Sequence, residues 1–141
     1  MKNTIYILVS LFISGCASIY VSDLSKETNY SSYIGHDFKL KNNAIICKDG
    51  YLGDSSSAAP KGNQLIFKKP EDSCHGIKPI ANLKEGTSIH INKVLMHHHF
   101  PPMWRHIYFL GSVKLPNNSI EKFYYFYGFD SDTGQGELLW N

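Results

Sequence analysis

The segment 96–106, MHHHFPPMWRH, carries the side chains of this sequence that are best suited to bind a metal ion. It holds four histidines and two methionines in eleven residues. Neutral imidazole binds Zn²⁺ or Cu²⁺, and the methionine thioether suits Cu⁺. On an extended strand His97 and His99 project to one side and His98 to the other, and His106 can return across the turn to join them. The spacing therefore predicts His97, His99 and His106 as candidate metal ligands.

The alternative for this segment is an exposed loop whose histidines are solvated or stack on Phe100 and Trp104. No Asp, Glu or Cys lies nearby in the sequence to act as a further ligand. Imidazole also titrates near neutral pH, which makes a pH-sensing role a further alternative. We therefore expect no metal cofactor, and a zinc or copper site in this segment is the alternative.

Motifs of catalysis and of calcium binding are absent from the sequence. The segment 130–137, DSDTGQGE, is similar to part of an EF-hand loop, but Gly134 stands at the fifth position and Glu137 comes too early. A hairpin turn explains the Asp and Gly residues better. The serines Ser55–Ser57 lie in no Gly-x-Ser-x-Gly elbow, and HExxH, P-loop and GxGxxG motifs do not occur. We do not expect an enzyme, and a hydrolase with a dispersed site is kept as an alternative.

The charge of the chain argues against nucleic acid as a partner. The sequence has 14 Lys and Arg against 12 Asp and Glu, scattered without a long run of one sign. Aromatic residues are frequent, with nine Tyr, eight Phe and two Trp, and they accompany many Gly and Asn residues. That composition favours a β-rich domain.

The first sixteen residues have the organisation of a signal peptide that ends in a cysteine. Lys2 precedes an apolar run from Ile5 to Ile13, which is too short to span a bilayer, since a spanning helix needs roughly 20 apolar residues. The run ends in Ile13-Ser14-Gly15-Cys16, which resembles the lipobox of bacterial lipoproteins. The resemblance implies cleavage before Cys16, a diacylglycerol on its thiol and acylation of the new amine.

Lipidation would decide where the protein is located. Two or three acyl chains hold a protein on a membrane, whereas one chain binds only marginally. By resemblance to enterobacterial lipoproteins, the absence of Asp at position 18 implies export to the outer membrane, on its periplasmic face, with the inner membrane or the cell surface as alternatives. Removing the first 15 of 141 residues leaves 126, which corresponds to one domain.

Two cysteines remain beside the lipidated one, Cys47 and Cys74. An even pair in an exported protein predicts a disulfide. The alternative, a catalytic thiol beside His75, is disfavoured because neighbours in sequence rarely form a catalytic pair.

The polar segment that follows the cysteine predicts a flexible tether over residues 16–33, and the β-domain is expected over 34–141. The clearest elements are two strands, 105–115 and 120–129, which alternate in hydrophobicity and flank the turn Pro116–Ser119. The preceding strand starts near Thr87, and its alternation changes phase at Lys93, where we predict a bulge or a bend.

The strand pattern predicts an all-β fold, a small barrel or a sandwich of about six to seven short strands. The layout of LKEGTSIHINKVL followed by two paired strands is similar to that of SH3-like barrels, and an OB-like barrel is the alternative.

The run FYYFY at 123–127 places rings on both faces of one strand. One face belongs to the core, so Tyr124 and Phe126 are expected on the other, where with Trp104 they are candidate residues for binding a partner. The alternative is that the loops 49–64 and 68–79 cover these rings.

These observations together predict a lipid-anchored, non-enzymatic binding protein of the cell envelope. Its partner is expected to be an envelope protein of unknown identity, which includes the case of an accessory, inhibitor or immunity protein. The metal-binding lipoprotein and the hydrolase are the alternatives.

Overall fold

The structure, a computed structural model, describes residues 20–48, 60, 62–67, 74, 79–99, 104–129 and 138–141. The predicted signal peptide, Cys16, the serines 55–57 and the predicted turn 130–137 lie outside the described residues.

Eight strands and one short helix make up the described part of the chain. In chain order they are β1 (Tyr20–Asp23), α1 (Thr28–Ser31), β2 (Asp37–Lys39), β3 (Ala44–Cys47), β4 (Gln64–Phe67), β5 (Ala81–Leu83), β6 (Ser88–His99), β7 (Trp104–Lys114) and β8 (Ile120–Phe129). The predicted all-β class is therefore confirmed.

The strands form one sheet in the order β1-β6-β7-β8-β4-β3-β5, and β2 also pairs with β6. Neighbours are antiparallel except β4 and β8, which run parallel at Gln64 and Tyr124. The sheet is not closed into a barrel, and β3, β4 and β5 share one core with β6, β7 and β8. Of the two predicted architectures, the sandwich agrees with this arrangement.

One hydrophobic core lies on the inner face of the sheet. Period-two alternation places the core residues of β6 and β7 at every second position. The fully buried core side chains contributed by these two strands are Ile89, Ile91, Val94, Ile107, Phe109 and Val113. Phe109 is surrounded by rings from distant parts of the chain: its ring centroid lies 5.5 Å from that of Tyr33 and 5.3 Å from that of Trp140.

The hairpin between β7 and β8 forms as predicted, and its turn depends on asparagine. Asn118 adopts a left-handed φ of 67°, which Asn tolerates better than most residues. The Leu115 amide donates to the Ser119 carbonyl at 2.8 Å, and the Asn118 amide donates to the Leu115 carbonyl at 2.9 Å. The turn thus sets the register in which β7 faces β8.

Two bulges change which face the residues of the long strands occupy. The register between β6 and β7 shifts between Ile91 and Lys93, at the predicted position. A second shift, which the alternation did not predict, occurs where Ile107 pairs with Gly128 and Tyr108 pairs with Phe126. Tyr127 is the extra residue of that bulge. Phe129 therefore lies with Phe126 on the face opposite the core, whereas unbroken alternation along β8 would place it on the core face with Phe123 and Tyr125.

The sheet begins earlier in the chain than predicted. Residues 20–23, which we assigned to the flexible tether, form β1 and pair with β6 from Asp23↔Leu95 to Tyr20↔His98. The prediction failed because β1 is short, lies in a mostly polar segment and pairs with a strand that is distant in sequence. β5 was also missed, and β6 spans 12 residues, longer than the short strands expected, whereas β7 and β8 lie within one residue of their predicted bounds.

The predicted disulfide is present between Cys47 and Cys74, whose Cα atoms lie 5.5 Å apart. Both cysteines are buried and form a small second cluster with Ile45 and Ile66. Because Ile46 and Leu65 face the main core, this cluster lies on the other side of β3 and β4.

Across the described ranges, the structure contains no helix that is long and apolar enough to span a membrane.

Candidate functional site

The face of β6, β7 and β8 that points away from the core carries a second set of rings. Alternation along β7 buries Ile107 and Phe109 in the core and therefore projects Tyr108 to the opposite side. Ring contacts join residues of all three strands on that side. We call this set the outer ring cluster: His97, His106, Tyr108, Tyr124, Phe126 and Phe129.

Tyr108 lies at the centre of the outer ring cluster. Its ring centroid is 5.0 Å from that of His97, 5.8 Å from Tyr124 and 5.5 Å from Phe126. The first two contacts are edge-to-face, the geometry that the aromatic quadrupole favours. The Tyr108 hydroxyl lies 3.3 Å from His106 Nδ1, and the ring tautomer decides which group donates the hydrogen bond.

The outer ring cluster has a buried centre and a partly exposed margin. His97 is 6 % exposed, Tyr108 5 % and Tyr124 6 %. His106, Phe126 and Phe129 are half-buried, and the His106 ring contacts that of Phe129 at 4.7 Å. Large half-exposed rings at the margin of a buried apolar cluster are typical of a protein-binding surface.

The predicted partner-binding residues differ in their burial. Tyr124 and Phe126 both belong to the outer ring cluster, but Tyr124 is buried in it and Phe126 is at its margin. Trp104 is the first residue of β7, opposite His99, and its side chain lies outside what the structure describes. Sequence alternation located the ring pair on this face, but it did not include Tyr108 or Phe129 among the partner-binding residues, and it predicted His97 only as a metal ligand.

Two of the three predicted metal ligands lie opposite each other, but the described side chains do not form a metal site. His97 pairs directly with His106 across β6 and β7, on the outer face. His99 has the same parity on β6, and its side chain lies outside the described set. Within the described ranges no group of three or more His, Cys, Asp or Glu side chains lies close enough to hold a metal ion. His98 faces the other way, as predicted, with its ring stacked on Tyr20 at 3.8 Å.

A groove of about 440 Å³ lies beside the outer ring cluster, towards the middle of the sheet. Its lining includes Asn63, Lys93, Leu110, Ser112, Lys122 and Tyr124. Lys93 is paired in it with Asp23, at 3.0 Å between Nζ and Oδ2. The groove therefore offers amide, hydroxyl and ammonium groups to a polar ligand.

The side chains Asp37, His90 and Ser112 lie in register on three neighbouring strands of the same face. His90 Nδ1 lies 2.7 Å from Asp37 Oδ1, but the two side chains are 39 % and 71 % exposed. In the described residues no hydrogen bond joins Ser112 to His90. This row has the residue types of an acyl-transfer triad without the hydrogen bond between hydroxyl and imidazole that activates the nucleophile, so we interpret the contact of His90 with Asp37 as a surface hydrogen bond.

One carboxylate beside the groove is strongly perturbed. Hydrogen bonds from Ser25, including its amide at 3.0 Å, and the nearby Lys93 ammonium lower the pKa of Asp23 from 3.8 to about 2. These contacts stabilise the ionised carboxylate at the end of β1.

No protein-family model, curated protein or solved structure matches this chain.

Proposed function

We propose that this protein is a lipoprotein of the bacterial outer membrane, anchored through Cys16 on the periplasmic face, that binds another envelope protein and catalyses no reaction. The signal sequence supports the anchor, and the outer ring cluster supports the binding role. The Cys47–Cys74 disulfide is in keeping with an exported domain.

The observation that carries the binding role is the position of the outer ring cluster. The core needs only one face of β6, β7 and β8, yet Tyr108, Phe126 and Phe129 place large rings on the other. Burying such rings gives much contact area for little loss of side-chain entropy. A partner that covered the half-buried margin would remove Phe126, Phe129 and the His106 ring from water.

Photo-crosslinking in living bacteria tests this surface. A photoreactive phenylalanine analogue replaces Phe126 in the full-length protein, and the matched control places it at Asn117, an exposed turn residue at the other end of β8. We expect an adduct with an envelope protein from position 126 and none from position 117. Identical product patterns at the two positions would remove the outer ring cluster from the proposal.

Mass spectrometry and cell fractionation test the anchor. We expect the native protein to begin at Cys16 with the mass of a diacylglycerol and an acyl chain added, and to sediment with the outer membrane. The Cys16→Ser variant should lose both properties. A native protein with an unmodified N-terminus upstream of Cys16 would contradict the anchor.

One observation favours a second function, metal binding, because His97 and His106 lie directly opposite each other. Side chains at such positions have their Cβ atoms about 5 Å apart, so two imidazoles can share one ion. Titration with Zn²⁺ and Cu²⁺ separates the cases: a metal site predicts a loss of affinity in His106→Ala but not in His36→Ala, a histidine exposed elsewhere. Equal affinities in both variants would exclude it.

A further inference from the structure

One end of the sheet carries exposed apolar and cationic side chains, with Tyr20 and Arg105 on one face and Val21 on the other. Antiparallel pairing sets the start of β1 against the end of β6, with Tyr20 opposite His98 and Val21 opposite His97. His98 in turn pairs with Arg105 near the start of β7. We call Tyr20, Val21, His98 and Arg105 the anchor-side end. Tyr20 is 61 % and Val21 49 % exposed, and Arg105 is exposed too.

The anchor-side end is covalently close to the predicted lipid. Only four peptide units separate Cys16 from Tyr20 in the sequence. A fully extended chain advances at most about 3.6 Å per residue, so the Cα atoms of Cys16 and Tyr20 cannot be more than about 14 Å apart. If Cys16 carries acyl chains in a bilayer, Tyr20 cannot leave the surface region of that bilayer.

β1 is bound firmly to the sheet, so the whole domain follows the position of Tyr20. Ser22 Oγ and His98 Nε2 are hydrogen-bonded at 2.8 Å, and the Lys93 ammonium lies 3.0 Å from the Asp23 carboxylate. Directly after β1, Leu24 is buried in the core and its amide donates to the Val94 carbonyl at 2.9 Å. The anchor therefore acts on a folded edge of the domain within a few residues.

The chemistry of the anchor-side end matches the surface of a phospholipid bilayer. Tyrosine has an apolar ring and a polar tip and concentrates at the boundary between acyl chains and headgroups. Arginine near the surface of an anionic leaflet contributes about 1 kcal/mol of attraction. We infer that the anchor-side end docks on the phospholipid surface, with Tyr20 and Val21 at the headgroup boundary and Arg105 beside the phosphates. This inference rests on the proposed lipid on Cys16.

Docking would orient the domain with respect to the membrane. The outer ring cluster extends along the strands away from the anchor-side end, from the row of His97 and His106 to Tyr124. A partner bound there would lie close above the bilayer. The polypeptide would then share the membrane contact with the lipid, and the domain would have one preferred face towards the periplasm.

Fluorescence of a single label tests the docking. Two of the three cysteines form the disulfide and the third would carry the lipid, so an engineered cysteine would be the one thiol available for an environment-sensitive dye. The full-length lipidated protein carries Val21→Cys, and the matched control carries Ile120→Cys. Ile120 is 68 % exposed and opposes Lys114, nine residues along β7 from Arg105, about 30 Å away along the strand.

Both proteins are reconstituted into vesicles of phosphatidylethanolamine and phosphatidylglycerol. We expect the dye at position 21 to shift to shorter wavelength and to be quenched by lipids with a nitroxide in the upper acyl chain, while the dye at position 120 keeps its aqueous emission. Flotation with the vesicles and the mass of the lipid on Cys16 are measured on the same samples.

The two ways of failing are distinguishable. Lipidated protein that floats with the vesicles but has aqueous emission at both positions overturns the docking and leaves the anchor intact. Protein without lipid on Cys16 that stays in the supernatant overturns the anchor and the docking together. Quenching at both positions would mean that the domain has no preferred face, which also overturns the docking.

Discussion

The two faces of β7 carry rings in alternate positions, and these rings are buried in different ways. Phe109, on the inner face, packs edge-on against Tyr33, Tyr127 and Trp140, which come from three other parts of the chain. Tyr108, next to it on the outer face, contacts only rings of β6, β7 and β8 in the described residues. Among the described residues, the inner rings therefore join distant segments of the chain, whereas the outer rings contact one another across strands that are already paired.

The largest contrast is expected from truncating one ring on each face. Phe109→Ala opens a cavity in a fully enclosed core and should lower the free energy of unfolding by about 4 kcal/mol. Phe126→Ala removes a half-exposed ring and should cost about 1 kcal/mol. Urea denaturation of both variants measures the contrast. Equal losses would mean that the outer face is as much a core as the inner one.

The disulfide provides the second comparison, since it lies on the side of β3 and β4 that points away from the main core. It closes a loop with a sequence separation of 27 residues. In the chain-entropy account a loop of that length contributes about 3.5 kcal/mol. We expect the double variant Cys47→Ala/Cys74→Ala to lose about this much in thermal or urea unfolding, well above the loss for Phe126→Ala. A loss below that of Phe126→Ala would contradict this ranking.

Gly111 and Ser112 are neighbouring small residues on opposite faces of β7. Adding a methyl group at the first and removing a hydroxyl at the second compares how closely the two faces are packed. A Cβ on Gly111, which faces the core, would lie 2.5 Å from the His90 carbonyl oxygen and 2.7 Å from Cζ of Phe123. The carbonyl belongs to a paired strand and cannot yield easily, so Gly111→Ala should destabilise by about 2 to 3 kcal/mol. Ser112→Ala, on the outer face, is the control and should change stability by less than about 0.5 kcal/mol. Similar stabilities for the two variants would mean that β6 and β7 can separate without cost.

The smallest effect concerns acid stability at the end of β1. The pKa of Asp23 is lowered to about 2 in the fold, so its ionised form stabilises the native state above pH 3.8, and that contribution is lost as the pH falls towards 2. Asp23→Asn should therefore weaken the dependence of stability on pH between about 4 and 2. Near neutrality the slope of stability against pH should be the same in both proteins. Because Asp23 is exposed, we expect a small difference, measurable as the thermal midpoint against pH. A variant with the same slope as the natural protein would show that Lys93 and Ser25 do not hold this carboxylate.

Local patterns predicted the part of the fold in which neighbours in sequence pair. Alternating hydrophobicity and the turn Pro116–Ser119 were sufficient for the β7–β8 hairpin, and the change of phase at Lys93 located the first bulge. The disulfide followed from counting cysteines in a chain that is predicted to be exported. These features depend on short-range geometry or on simple pairing.

Features that depend on distant partners were not predictable in this way. β1 lies in a mostly polar segment, and it forms a strand because β6 extends to His99 and provides the edge with which β1 pairs. His97 lies in a run of three histidines but is buried because the ring of Tyr108, on the neighbouring strand β7, packs against it. Phe129 changes face because Tyr127 is the extra residue of a bulge. In each case the deciding contact belongs to another strand, which the local pattern does not contain.

The parallel pairing of β4 with β8 has a consequence for how the chain folds and how it yields to force. β6, β7 and β8 are joined by hairpins between sequence neighbours, so their contacts close short loops and are expected to form early. The β3–β4–β5 unit then docks late, with Gln64 set against Tyr124 and the Tyr124 amide bonded to the Asn63 carbonyl at 2.9 Å. Under tension β4 should separate from β8 before the strands of the long hairpins separate from each other. Because Tyr124 also belongs to the outer ring cluster, a partner bound to that face would also contact the junction between β4 and β8.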